Sequence, residues 1–179
     1  MDPQAALEAV AWRRLLVSFW PWRSALYLLA TLPSPCHAEV ADLDGYRGRY
    51  ALYKSDPNLQ AAHARAPWFA IWDDHEVDNN YAGMTPEVVA PKVDFAARRT
   101  AAYRAWWEHQ PTRLPKPVGD SLTMYRTLHW GGLATFVGLD GRQYRDDQPC
   151  DHGGDLGAGC PERDDPKRTM LGAEQEAWV

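Results

Sequence analysis

The chain reads as an α/β fold, and three observations carry that reading. From Trp68 to Trp72 both alternating sets of side chains, Trp68/Ala70/Trp72 and Phe69/Ile71, are apolar, as in a strand covered on both faces in the middle of a sheet. Leu122 to His129 and the almost wholly apolar Leu133 to Leu139 flank Gly131-Gly132, the pattern of two strands joined by a tight turn. Between these stretches, about Val93 to His109 is rich in Ala and Arg, with Phe95, Ala102 and Trp106 at helical spacing. The expectation is a mixed sheet flanked by helices.

The elements follow in chain order. In residues 1–36, Arg13-Arg14 precedes two apolar runs separated by Pro21-Trp22-Arg23, an interruption that argues against a membrane-spanning helix. Two readings of this segment stand. One is a leader, with Cys36-His37-Ala38 as a small-x-small cleavage site; the other is an extension that packs on the core or stays poorly ordered, favoured by the acidic Asp2 and Glu8. Asp42 has the chemistry to cap a helix carrying Leu43, Tyr46, Tyr50 and Tyr53 on one face, although Gly45 and Gly48 weaken it. Asp56-Pro57 opens a second helix toward Ala64. Pro91 introduces the long helix and Pro111 stops it. Gln148 to Arg168 is rich in Gly, Pro and Asp, a surface loop, and another helix begins near Leu171. Neither a repeat nor a linker divides the chain, so one domain or part of one is expected.

Composition narrows the function. Hydrophobic residues at 45% with charged residues at 24% describe a globular protein with a real core. A net charge of −5, with basic residues dispersed singly or in pairs, argues against a nucleic-acid partner, since phosphate backbones are held by clustered Lys and Arg. Cys150 and Cys160 are spaced to close a small disulfide, which would suit an oxidising compartment, or they are two free thiols; Cys36 is left over. His63, His109, His129 and His152 have no partners at ligand spacing and read as surface or core residues.

The chemistry concentrates at Trp72-Asp73-Asp74-His75-Glu76-Val77-Asp78-Asn79-Asn80, where the first apolar run ends. In open α/β sheets ligands bind just beyond such strand ends. Four carboxylates and an imidazole fall between positions 73 and 78, whereas the nearest basic side chains in sequence are Arg65 and Lys92. Two like charges about 4 Å apart repel by roughly 4 kcal/mol at an effective dielectric of about 20, so a converging cluster needs solvent, protons or a bound cation. Carboxylates and imidazole are the ligand types that hard and borderline metal ions accept. On an extended segment adjacent side chains point to opposite sides, so at most alternate members share one ion and the others support them.

Several separated stretches, in order, resemble the central part of the alkaline phosphatase D (PhoD-like) phosphatase and phosphodiesterase family. They are Leu43-Asp44-Gly45-Tyr46-Arg47-Gly48-Arg49-Tyr50, Trp72-Asp73-Asp74-His75-Glu76-Val77-Asp78-Asn79-Asn80-Tyr81, Ala102-Tyr103-Arg104-Ala105-Trp106-Trp107, Arg142-Gln143-Tyr144-Arg145-Asp146-Asp147-Gln148-Pro149-Cys150 and Arg168-Thr169-Met170-Leu171-Gly172. The likeness covers residues 37–179 and leaves 1–36 as a divergent N-terminal segment. It implies an incomplete metallophosphoesterase-like α/β sandwich and metal-dependent hydrolysis of phosphomonoesters or phosphodiesters. Iron and calcium (Fe3+ and Ca2+) are the implied ions, and a periplasmic or secreted location is implied with them. Carried over by position, Asp74 is the metal ligand, and His75 is the imidazole that steadies the phosphoryl oxygens or the leaving group. Asp73, Glu76 and Asp78 support them, with Glu76 or Asp78 orienting the ring. Family members also draw ligands from a Gly-Asp segment before the first helix, which residues 1–41 lack, and from His-containing segments further on. At position 141 this chain has Gly where the family more often has a hydroxylated residue. The alternative is an inactive truncated remnant that keeps only a cation-binding acidic loop.

Overall fold

The computed structural model describes residues 39–88, 93–150 and 160–179; the readings of residues 1–36 and of His152 lie outside them. Val40–Val179 forms one compact unit. Its elements are α1 (Leu43–Lys54), α2 (Pro57–Arg65), α3 (Phe95–His109), β1 (Arg126–Trp130), β2 (Ala134–Gly138), a 3-10 turn (Pro161–Asp164) and α4 (Ala173–Trp178).

The helix starts follow the capping chemistry. The Asp42 carboxylate accepts the Gly45 amide at 2.8 Å, and Asp56 accepts the amides of Asn58 and Leu59 with Pro57 in the first turn, each satisfying donors that a helix N-terminus leaves free. Asp94 does the same for Ala97 and sets the start of α3 at Phe95, slightly later than expected. Gly45 and Gly48 do not interrupt α1. At Gly45 the missing side chain is a requirement, because a Cβ there would meet Val40 Cγ1 at 2.7 Å. The lead-in to α1 therefore packs directly on its first turn.

The core lies between α3, α1 and the segments that follow Trp72 and precede β1. Ala102, Tyr103, Ala105 and Trp106 of α3 pack with Tyr46 of α1, and with Trp72, Val77, Tyr81, Leu122 and Met124. Trp72 stacks on Tyr103 at 4.1 Å between ring centroids and meets Trp106 edge-on at 5.5 Å, geometries that add to the burial of large apolar surfaces. Arg47 closes a bidentate pair on Glu108, tying α1 to the last turns of α3. Trp72 and Trp106 are thus core residues, whereas Trp130 is 59% exposed.

β1 and β2 form the expected antiparallel hairpin, with Arg126 opposite Gly138 and Trp130 opposite Ala134. Gly131 takes the left-handed backbone of the connecting turn, φ +55°. The expected strand at Trp68–Trp72 is not a strand. It is a segment outside any ladder, with Trp72 turned into the core and Ile71 45% exposed. Its apolar residues pack against the hairpin without a backbone ladder to it. Arg126 donates to the Ala70 carbonyl at 2.6 Å and lies 4.3 Å over the Phe69 ring, and Phe69 and Ile71 close on Gly138. Among the described residues the sheet is this two-stranded hairpin rather than the mixed sheet expected. Cys150 and Cys160 form a disulfide. No helix among the described residues is long and apolar enough to cross a membrane.

Candidate functional site

Beyond Trp72 the backbone folds into consecutive turns. The Asp74 carbonyl accepts the amides of Val77 and Asp78 at 2.8 and 2.9 Å, and Val77, 2% exposed, anchors the bend in the core. The Tyr46 hydroxyl donates to the Val77 carbonyl. Asn80 adopts a left-handed backbone, φ 52°, which turns its amide onto Asp74 Oδ2 at 2.9 Å. The side-chain amides of Asn79 and Asn80 both donate to Glu87. Because the segment is a turn and not an extended strand exit, neighbouring Asp73 and Asp74 come within reach of one cation.

That cation is Arg142. Its Nε contacts Asp73 Oδ1 at 2.5 Å and its Nη2 lies 3.7 Å from Asp74 Oδ1. The Arg142 loop is itself held by the fully buried Asp140, whose Oδ1 accepts the amides of Arg142 and Gln143 at 3.0 and 2.8 Å. The Arg142 carbonyl accepts the Gly83 amide, joining this loop to the end of the acidic turn. A second arginine, Arg98 of α3, pairs with Asp78 at 3.3 Å and donates through Nε to the Tyr46 hydroxyl at 3.0 Å. Asp73, Asp74 and Asp78, left without basic neighbours in sequence, are therefore paired with arginines brought in from α3 and from the loop after β2.

Asp74 is 7% exposed. Burial pushes its carboxyl up, but the Asn80 amide and the Arg142 charge together hold it below the ordinary carboxylate value. His75 has the opposite setting, with its side chain 70% exposed and Nε2 3.9 Å from Asp74 Oδ2. Glu76 is half-buried and accepts the Asp73 amide at 2.8 Å, and burial raises its pKa. Glu76 accepts the Asp73 backbone amide, Asp78 pairs with Arg98, and Asp74 is the carboxylate 3.9 Å from the His75 ring nitrogen. As a metal centre the donor set is incomplete. Asp74 Oδ2 is occupied by an amide, its Oδ1 faces a guanidinium, and no group of three or more His, Cys, Asp and Glu side chains converges among the described residues. The residues present fit a single ligand's share and not a two-metal site.

The family model for PhoD-like phosphatases matches residues 23–179. The chain belongs to the PhoD-like phosphatase family. The match begins ahead of His37, inside the N-terminal segment 1–36. Alkaline phosphatase D of Bacillus subtilis (strain 168) is 48% identical over 143 residues, which are 79% of this chain and 24% of that protein. A solved structure of PhoD superposes with a TM-score of 0.68 at 47% identity, covering 79% of this chain and 27% of that one. The chain thus spans about a quarter of the length of the curated relative it matches, and its helices and hairpin are a fragment of the PhoD α/β fold. PhoD-like phosphatases are metal-dependent.

Sequence reasoning singled out Asp74 and His75, whose Oδ2 and Nε2 lie 3.9 Å apart. It missed Arg98, Arg142, Tyr46 and Asn80 as the groups that shape the turn. Two signals for the arginines were present. Arg98 and Arg99 fall at helical spacing on the apolar face set by Phe95, Ala102 and Trp106, where a charged residue needs a buried partner. Arg142 follows Asp140 at the end of the second apolar run, and loops leaving neighbouring segments meet at one edge.

Proposed function

We propose that this chain supplies one wall of a phosphate-ester-hydrolysing site of alkaline phosphatase D type. The observation that carries the reading is the exposed His75 ring beside the withdrawn Asp74, on a turn clamped by Arg142 and Arg98. Its substrate class is phosphomonoesters or phosphodiesters. His75 donates a hydrogen bond to a phosphoryl oxygen or to the leaving oxygen, and Asp74, low in pKa and fixed by Asn80, offsets the positive charge on that ring in the transition state. The proposed ions are Ca2+ and Fe3+, with Asp74 as the one ligand this segment contributes. A periplasmic or secreted location is supported by the Cys150–Cys160 disulfide, since such bonds persist in oxidising compartments.

The test is a hybrid in which residues 40–179 replace the matching segment of B. subtilis alkaline phosphatase D, assayed on p-nitrophenyl phosphate and its bis ester with both ions. His75→Ala should lower kcat by more than about tenfold, the usual scale of lost acid/base or electrostatic help. Because the ring is 70% exposed, the melting temperature should not move. Unchanged turnover would remove the role given to His75. The 179-residue chain alone should be inactive on the second reading, a remnant that keeps an acidic loop, which the incomplete donor set favours. Robust hydrolysis by the chain alone would sink that second reading.

A further inference from the structure

Two arginines stand on the loop after β2, and their guanidinium groups are satisfied very differently. The loop itself is pinned along its length. Asp140 accepts the amides of Arg142 and Gln143, the Gly83 amide donates to the Arg142 carbonyl at 2.8 Å, and a Cβ on Gly83 would meet the Arg145 carbonyl at 3.4 Å. Further on, the Asp146 amide donates to the Thr169 carbonyl at 3.0 Å and the Asp146 carboxylate accepts the Thr169 amide at 2.7 Å. Arg142 commits its guanidinium to Asp73 and Asp74. Arg145 does not. It is half-buried, its one hydrogen bond runs from Nε to the carbonyl of the adjacent Asp146 at 3.5 Å, and it forms no ion pair among the described residues. Burial and then the Arg142 charge pull its pKa down, while Asp73, Asp147 and Asp74 act on it in the opposite sense from beyond contact distance. A guanidinium offers five N–H donors in a planar fork. Half-buried beside a second arginine, with most of those donors unfilled, it is in an arrangement that an anion relieves.

We propose that Arg145 is a specificity-determining residue, which binds a terminal oxygen of the phosphate ester and so favours monoesters over diesters. The proposal rests on the reading of the acidic turn as part of a phosphate-ester site. Three observations place Arg145 in that role. It stands beside Arg142, which holds Asp73 and Asp74, and His75 lies 3.9 Å from Asp74, so both groups border the same turn. The other two arginines there are committed, Arg142 to Asp73 and Asp74 and the buried Arg98 to Asp78. The side-chain type also fits, because a guanidinium fork matches the spacing of phosphoryl oxygens and pairs with them through charge-assisted hydrogen bonds. Substrate charge then decides the preference. Above its second pKa a monoester is a dianion with three terminal oxygens, whereas a diester is a monoanion with two. His75 can donate to one oxygen, and the Arg145 fork meets the additional charge that the monoester alone carries.

The experiment compares Arg145→Gln, Arg145→Lys and His75→Ala in the hybrid described above, on p-nitrophenyl phosphate and its bis ester, with inorganic phosphate as inhibitor. Arg145→Gln should raise the monoester KM and the phosphate inhibition constant about tenfold, the scale of one charge-assisted hydrogen bond. Its kcat should stay within about twofold, and the diester KM should rise by less than about threefold. Arg145→Lys keeps the charge without the fork and should recover part of the monoester affinity. The melting temperature should stay within about 2 °C, since Arg145 holds no other side chain in place. His75→Ala should instead lower kcat on both esters and leave their ratio alone, so the two readings fail separately. Calorimetry with inorganic phosphate reads Arg145 without turnover, and binding to Arg145→Gln should be about tenfold weaker. Equal losses on the two esters, an unchanged monoester KM, or phosphate binding that is absent or indifferent to Arg145→Gln would each overturn the assignment.

Discussion

Replacing Arg98 by Met tests whether the acidic turn is built on a buried ion pair. The Met side chain keeps most of the stem that packs in α3 and removes the guanidinium, which lies 3.3 Å from Asp78 and donates to the Tyr46 hydroxyl that in turn holds the Val77 carbonyl. Both side chains are nearly withdrawn from water, at 7% and 12% exposure, so the discount that applies to surface pairs does not. Removing one partner of such a pair costs about 3–5 kcal/mol, and the 3.3 Å contact points to the lower end, about 3 kcal/mol. Against a typical domain stability of about 5–15 kcal/mol, that is a large share. Urea unfolding followed by tryptophan fluorescence reads it directly, because Trp72 and Trp106 sit in the core. The midpoint should drop with the slope unchanged. Asp78→Asn in the Arg98→Met background removes the charge left behind and should recover about half the loss, so the two substitutions should be non-additive. A single-variant cost under about 1 kcal/mol, or strict additivity, would refute the argument that this pair organises the turn.

Two further outcomes follow from other contacts. Glu108 is held near a pKa of about 2, first by its hydrogen bonds to Arg47 and then, against some burial, by Arg104. A depressed carboxyl stabilises the fold above its ordinary value of 4.5 and loses that contribution as pH falls toward about 2. With the group partly open to solvent, about 1 kcal/mol is expected after screening, so stability curves of wild type and Glu108→Gln should differ near pH 6 and converge near pH 2. A gap that persists unchanged at the acid end would contradict it. The disulfide joins residues at a sequence separation of 10, for which loop-closure entropy suggests about 3 kcal/mol. The paired Cys150→Ser and Cys160→Ser chain should melt correspondingly lower in calorimetry, and a loss under about 0.5 kcal/mol would mean the bond does not constrain the unfolded chain.

Local signals were the legible part of this fold. Asp42, Asp56 and Asp94 announce helix starts because a carboxylate at an N-cap acts on amides two or three residues away, and Gly131-Gly132 announces the turn between β1 and β2 for the same reason of short range. The stretch from Trp68 to Trp72 was misleading because apolarity on both sides of an extended segment reports cover, not hydrogen bonding. Its cover comes from α3 on one side and from Arg126 and Gly138 on the other. At the site, residue types were readable and their partners were not. Arg142 reaches Asp73 across 69 residues, a distance over which a single sequence carries no pairing information. The backbone placement of Asn80, which fixes Asp74, likewise depends on Glu87 and on Gln148 holding the Asn80 carbonyl.

The arginines also change how the acidic segment should be understood. Asp73, Asp74, Glu76 and Asp78 would repel one another if they relied on an ion to converge, and the turn would then form only when the ion arrived. Here Arg142 holds Asp73 and Asp74, Arg98 holds Asp78, and Glu76 rests on the Asp73 amide while burial raises its pKa. Much of the turn's charge is therefore offset by groups that are always charged and are part of the chain. Its shape can precede ion binding, leaving the buried Asp74 and exposed His75 presented at a fixed spacing. Preorganisation of this kind is what positions a donor in the transition state without reorganisation at the moment of reaction. It also means that most of any ion's ligands have to come from outside this turn, because the carboxylates that look available in sequence are already spoken for in the fold.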